Sequence, residues 1–243
     1  MTRQNQPLQA ADYFKIWTTL FRDAPGPVAV VWGGCAIVQF AIIARMTGAP
    51  IEGFGLFIGL LLGLFVVGGL QKALYAPLRG LAASPQRDPT LPGVLATIFK
   101  RLGIVLLVQF LIGVLFSAIA LIFVALGAPL FGVFVVLQMF WFMLAPAVYF
   151  AAAHRMAAFT AIGRALAVAR DHLLWIVGIP ALFWCVGALV DQYICAFEEL
   201  AAGVLAGDVV MLLRALFLYV LYRYLQWISV AAVYVAVDAE EDG

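Results

Sequence analysis

Long apolar runs separated by short polar segments make up most of this chain. None of the runs alternates strictly between apolar and polar residues, as a strand of a membrane barrel does. A hydrocarbon core about 30 Å thick is crossed by roughly 20 helical residues at about 1.5 Å each. Because lipid offers the backbone no hydrogen-bond partners, apolar runs of that length must be helical. The pattern therefore predicts an all-α fold, a polytopic membrane helical bundle.

The runs predict six transmembrane helices, at residues 27–46, 52–76, 102–126, 130–153, 173–195 and 209–237. Short turns group them into three hairpins, so that the transmembrane domain covers residues 27–237. Residues 1–26 form an N-terminal amphipathic interfacial segment, and residues 238–243 form an acidic tail that we expect to be mobile. Prolines predict a loop over 77–92, followed by a short basic lead-in to the third helix over 93–101.

A polar segment ahead of the first span has a helical period of its own. Phe14, Trp17 and Phe21 share one face of a helix at 100° per residue, whereas Asp12 and Lys15 lie on the other. The segment is too polar to span, so we predict an interfacial helix. We favour an elbow that orients the first span; a membrane-anchoring or partner-docking helix is the alternative.

The composition agrees with this class, because 66% of the residues are hydrophobic and 11% are charged, against about 25% charged in soluble domains. The distribution of the cations predicts the orientation. Of 14 Lys and Arg residues, Arg45 and Arg214 are assigned to the side opposite the termini, Arg223 lies within a span, and the rest share the side of the termini. The positive-inside rule then places the N and C termini in the cytoplasm.

Five polar residues are predicted at membrane depth: Gln39, Gln109, Gln138, Asp191 and Arg223. We expect Gln39, Gln138 and Arg223 at a similar depth near the middle, Asp191 nearer the outer face and Gln109 nearer the inner face. Glutamines in spans usually form hydrogen bonds between helices, at about 1 kcal/mol each. Arg223 lies near the middle of the sixth span, where an unpartnered charge costs several kcal/mol. It either has a structural partner or belongs to a site that lines a polar cavity or binds an anionic lipid headgroup.

Glycines recur every four residues along the second span, at Gly55, Gly59 and Gly63. This spacing predicts a smooth helix-packing face that lets a neighbouring backbone approach closely. We favour packing within the chain, with a homodimer face as the alternative.

The sequence contains no P-loop, GxSxG, HExxH or CxxC motif. Cys35, Cys185 and Cys195 have no metal-ligand spacing and are expected to behave as small hydrophobic residues. We therefore predict a protein that is not an enzyme, has no cofactor or metal, and binds no nucleic acid.

Ala145-Pro146, followed by the segment FTAIGRALAVARDHLLWIVG from Phe159 to Gly178, resembles bacterial six-helix membrane proteins of the YciC type. The same residues are similar to the membrane domain of glycerophosphodiester phosphodiesterases, whose catalytic domain has no counterpart here. The resemblance implies a bacterial inner-membrane protein with a role in envelope homeostasis.

Two hypotheses for function follow. The first is a non-enzymatic scaffold that associates with membrane lipids and with a second copy of itself or another membrane protein. The second is a small transporter or lipid-binding protein that uses the polar site around Arg223. A cavity that reaches Arg223 would favour the second, and a dry, fully packed centre would favour the first.

Overall fold

The structure is a computed structural model, and it describes residues 9–23, 26–48, 54–83, 90–194 and 209–241. Helices make up nearly all of these ranges, and no strand occurs within them. The predicted fold class, an all-α polytopic helical bundle, is confirmed. The helices, in chain order, are α1 (Ala10–Asp23), α2 (Gly26–Gly48), α3 (Phe54–Ala73), α4 (Tyr75–Ala83), α5 (Leu91–Ala125), α6 (Leu130–His154), α7 (Ala158–Asp171), α8 (Leu173–Ile194) and α9 (Val209–Glu241).

Within the described residues, five helical segments are long and apolar enough to cross a membrane. They are α2, α3 with α4, α5, α6 and the later part of α9. A sixth span exists if α7 and α8 are counted together, although their axes meet at 94°. The amphipathic α7 thus runs nearly at right angles to α8, as expected for a surface helix that leads into a span.

The predicted loop over 77–92 is partly wrong, because residues 77–83 belong to α4. Pro77 lies in the first turn of α4, where the missing N–H leaves no intrahelical bond unmade. Leu78, one residue later, is fully buried in the core. Thr90 then caps the next helix by accepting a hydrogen bond from the Gly93 backbone N–H at 3.4 Å. The predicted basic lead-in is therefore continuous with the third span in one helix of 35 residues.

The acidic tail also differs from the prediction in the part that the structure describes. α9 continues to Glu241, so that Asp238 is helical rather than in a mobile segment. Every residue from Ala231 to Asp238 is buried, because small side chains let α1, α4 and α6 pack closely around this end of α9.

α1 packs on the bundle with a face other than the predicted one. Tyr13 and Leu20 are the buried residues of this helix, whereas Phe14 is 60% exposed and Phe21 is 48% exposed. Trp17 lies between the two groups and donates a hydrogen bond from Nε1 to Ser229 Oγ of α9 at 3.0 Å. The three predicted residues therefore form a rim beside the packed face, with only Trp17 bonded to the bundle.

The predicted glycine face of α3 is mostly open. A Cβ added at Gly55 or Gly59 would meet no atom within 4 Å, and one at Gly63 would lie 3.2 Å from Ile42 Cδ1. The close approach occurs further along, at Gly69, where an added Cβ would lie 2.5 Å from Leu106 Cδ2 of α5. Packing within the chain thus uses the later glycines of α3.

Five helices, α2, α3, α6, α8 and α9, form a closed ring, since each packs against the next and α9 packs against α2. α5 packs on the outside of this ring against α3 and α6. α1 and α4 cover the end at which α6 and α9 terminate. The ring encloses the site described next.

Candidate functional site

A cavity of about 410 Å³ lies at the centre of the five-helix ring. Its lining includes several polar and charged side chains from α2, α3 and α9: Gln39, Gln71, Lys72, Tyr219, Arg223 and Gln226. The sequence placed Gln39 and Arg223 at similar depth, and the structure brings them to the same cavity.

Both charged residues in the lining are cations. The Lys72 Nζ atom lies 4.7 Å from the centre of the Trp141 ring. The Arg223 guanidinium lies 5.5 Å from the centre of the Tyr219 ring, and its NH1 donates to Gln226 Oε1 at 3.1 Å. Among the residues that the structure describes, no carboxylate lines the cavity and neither cation forms an ion pair. The described part of the lining therefore carries a net positive charge.

Three further N–H donors in the lining have no acceptor among the described residues. They are Trp32 Nε1, on a residue that is 3% exposed, Gln71 Nε2 and Trp227 Nε1. A buried donor without a partner costs about 1–3 kcal/mol, so such groups are uncommon unless a ligand or water meets them. With the two cations, they make the cavity rich in donors and suited to a ligand that carries acceptor oxygens.

One end of the cavity is closed by a cluster of aromatic rings that we call the aromatic floor, namely Trp32, Tyr75, Tyr149, Tyr224, Trp227 and Tyr234. Tyr75 is its centre, stacked on Trp227 at 5.7 Å between ring centroids. Tyr149 and Tyr234 lie 5.8 and 5.9 Å from Tyr75 and meet it edge-on. This packing fills the space between the cavity and the end of the bundle.

A buried carboxylate, Asp238, lies beyond the floor with its side chain 4% exposed. It accepts a hydrogen bond from Arg79 Nε at 2.8 Å and from the Tyr149 hydroxyl at 3.0 Å. His154 Nε2 lies 2.7 Å from one carboxylate oxygen and 2.9 Å from the other. Three helices, α4, α6 and α9, are therefore held together at the closed end.

The cavity is accessible in the region of Arg223. Its lining also includes Ile43, near the end of α2, and Tyr219 of α9. Arg223 is itself exposed, so its charge is not sealed inside the protein. The cavity thus has one closed end and an accessible region around Arg223.

The remaining predicted polar residues lie elsewhere. Gln138 is half-buried three residues before Trp141, the first residue of α6 in the lining. Gln109 is buried on α5, outside the ring. Asp191 belongs to α8, but its side chain is not among those the structure describes.

Two residues that line the cavity, Gln71 and Lys72, were not predicted as site residues from the sequence. Lys72 was counted among the cations flanking the spans, because a lysine near the end of an apolar run usually reaches the interface. The feature that could have shown the position of Lys72 is that the helical segment continues beyond this residue. Since α4 follows almost directly, Lys72 lies within a segment, Gly55–Gly80, that is long and apolar enough to span a membrane.

Comparison of the chain with models of protein families, with curated proteins and with solved structures finds no match.

Proposed function

We propose that this protein is a membrane protein that binds an anionic ligand, of the phosphate or carboxylate class, in the cavity at Arg223 and Lys72. The observation that carries the proposal is a donor-rich cavity inside the helical ring, whose described lining contains two cations and no carboxylate. Of the two functions considered from the sequence, the ligand-binding one is favoured by this cavity. The scaffold, the absence of enzymatic activity and a role in envelope homeostasis stay predictions.

The chemistry supports an oxyanion rather than a neutral ligand. A guanidinium offers several N–H donors in a plane and pairs with phosphate or carboxylate oxygens through two parallel hydrogen bonds. Lys72 adds a second point charge, held in place over Trp141. Because the surroundings are apolar helices, these charges are screened less than at a water-exposed surface.

We further propose that the protein resides in a bacterial inner membrane with its closed end towards the cytoplasm. The support is the excess of Lys and Arg in the N-terminal segment and in the connections before α5 and after α6. The accessible region of the cavity then faces away from the cytoplasm.

The test is a binding measurement on purified protein in a non-ionic detergent. Glycerol 3-phosphate serves as a soluble probe and phosphatidylglycerol in mixed micelles as a lipid probe, with phosphatidylcholine as the zwitterionic control. Arg223→Leu is expected to weaken binding of the anionic probes at least tenfold, since a charge-assisted hydrogen bond contributes about 1.5–3 kcal/mol. Arg170→Leu, which removes an exposed arginine outside the cavity, is the matched control and should bind as the wild type does.

Binding of neither anionic probe above the phosphatidylcholine level would overturn the proposal. Equal binding by the wild type and Arg223→Leu would do the same. The melting temperature of each variant, measured without ligand, shows whether the fold is intact.

A further inference from the structure

A second cavity lies next to the first, on the outside of the ring. It is a groove of about 670 Å³ between α3, α5 and α6, lined almost wholly by apolar side chains from Phe65, from one face of α5 and from Trp141. The α5 face extends from Gln109 to Leu121, which corresponds to about 18 Å of helix. One leaflet of the hydrocarbon core is about 15 Å thick, so the groove has the length of a lipid acyl chain.

Two observations connect this groove to the central cavity. Trp141 lines both, so a single side chain separates them on the α6 side. On the α3 side, a Cβ added at Gly68 would lie 3.7 Å from Gln39 Nε2 of the cavity and 3.9 Å from Gln109 Nε2 of the groove. A glycine therefore stands where a larger residue would fill the space between the two glutamines.

Gln109 gives the groove one polar feature. The residue is 8% exposed, and its Oε1 atom has no hydrogen-bond partner among the described residues. A half-turn of the amide exchanges its oxygen and its NH₂ group, so that it can accept from a hydroxyl or donate to an ester carbonyl. Ester and hydroxyl groups lie between the charged headgroup and the acyl chains of a glycerophospholipid.

We propose that the ligand is an anionic glycerophospholipid, whose phosphate occupies the central cavity at Lys72 and Arg223. One acyl chain passes between α3 and α6 beside Trp141 and lies in the outer groove, and Gln109 bonds the glycerol region. This inference rests on the proposed function, because it assumes that the cavity holds an oxyanion. The headgroup lies nearer the closed end of the bundle and the acyl chain points away from it, as in lipids of the leaflet on that side.

Two glycines of α5 provide a matched test of the groove. Gly113 lines it, whereas Gly103 does not, and an added Cβ would meet no atom within 4 Å at either position. Gly113→Phe fills the groove and is expected to weaken binding of phosphatidylglycerol at least tenfold while leaving glycerol 3-phosphate binding unchanged. Gly103→Phe is expected to bind both probes as the wild type does.

The Gln109→Leu variant distinguishes a role of Gln109 in lipid binding from a role in packing alone. Removing a buried amide whose oxygen has no partner among the described residues is expected to leave the melting temperature of the ligand-free protein unchanged or raised, yet to weaken lipid binding severalfold. If Gln109 serves packing alone, the variant binds lipid normally.

The outcomes separate this inference from the proposed function. If Gly113→Phe and Gln109→Leu bind phosphatidylglycerol as the wild type does while Arg223→Leu does not, the anion site stands and the groove assignment is overturned. If glycerol 3-phosphate binds as tightly as the lipid, a free phosphate compound is the ligand and the lipid assignment is wrong. If Arg223→Leu has no effect on either probe, the proposed function itself fails.

Discussion

His154 Nε2, at the end of α6, lies 2.7 Å from Asp238 Oδ1, near the end of α9, although 84 positions separate the two residues. The same carboxylate accepts hydrogen bonds from Arg79 and Tyr149. One buried anion therefore has one partner on α4 and two on α6, Tyr149 and His154. A carboxylate with so little exposure is stable only when it is paired in this way. The closed end of the bundle therefore depends on Asp238.

Replacing Asp238 with Asn should destabilise the protein substantially. The substitution removes the charge that Arg79 and His154 face, and a buried group that loses its hydrogen-bond partner costs about 1–3 kcal/mol. We expect a clear fall in the melting temperature of the purified protein in detergent. Asp171→Asn is the control, because Asp171 is paired with Arg170 at an exposed site where solvent screens the charges. Equal effects of the two substitutions would contradict the assigned role of Asp238.

The orientation of α1 gives a second prediction. Leu20 is 1% exposed against the bundle, whereas Phe14 is 60% exposed. Leu20→Ala should lower the free energy of unfolding by about 2–5 kcal/mol, the usual cost of truncating a buried leucine. Phe14→Ala should change it by less than about 0.5 kcal/mol in detergent. Denaturant titration followed by tryptophan fluorescence measures both changes in unfolding free energy. A larger change for Phe14→Ala than for Leu20→Ala would mean that α1 packs with the face expected from the sequence.

A third prediction concerns the membrane orientation. Single cysteines are introduced at Thr160 of α7 and at Leu126, in the turn before α6, in a variant whose three native cysteines are alanine. Both positions are exposed and lie at opposite ends of the bundle. A membrane-impermeant maleimide applied to intact cells should label Leu126→Cys and spare Thr160→Cys. The reverse result would invert the proposed orientation, and labelling of both would contradict a spanning bundle.

Local physics explains how much of the fold the sequence could predict. Lipid requires each apolar run to satisfy its own backbone hydrogen bonds, so the helices follow from run length alone. The misassigned segment around Pro77 shows the limit of this argument, because a proline breaks a helix interior but is tolerated in a first turn. Nothing in the local sequence shows that a new helix begins two residues earlier.

The sequence predicts how deep each site residue lies in the membrane. It does not predict which face of each helix turns towards the cavity. A fixed rise per residue placed Gln39 and Arg223 at one depth, and they do share a cavity. Gln138 was assigned the same depth, but it lies beyond Trp141 and is absent from the lining. The partners of Asp238 lie on helices far away in the chain, so that no local pattern marked the Asp238 cluster.

The aromatic floor has a consequence for the permeation of solutes across the bilayer. In the part of the chain that the structure describes, packed rings and a bonded carboxylate lie between the central chamber and the closed end of the bundle. We therefore expect a solute in the chamber to leave by its point of entry, or sideways into the surrounding lipid. Release at the far surface would require the rings around Tyr75 to separate and the contacts of Asp238 to break at the same time.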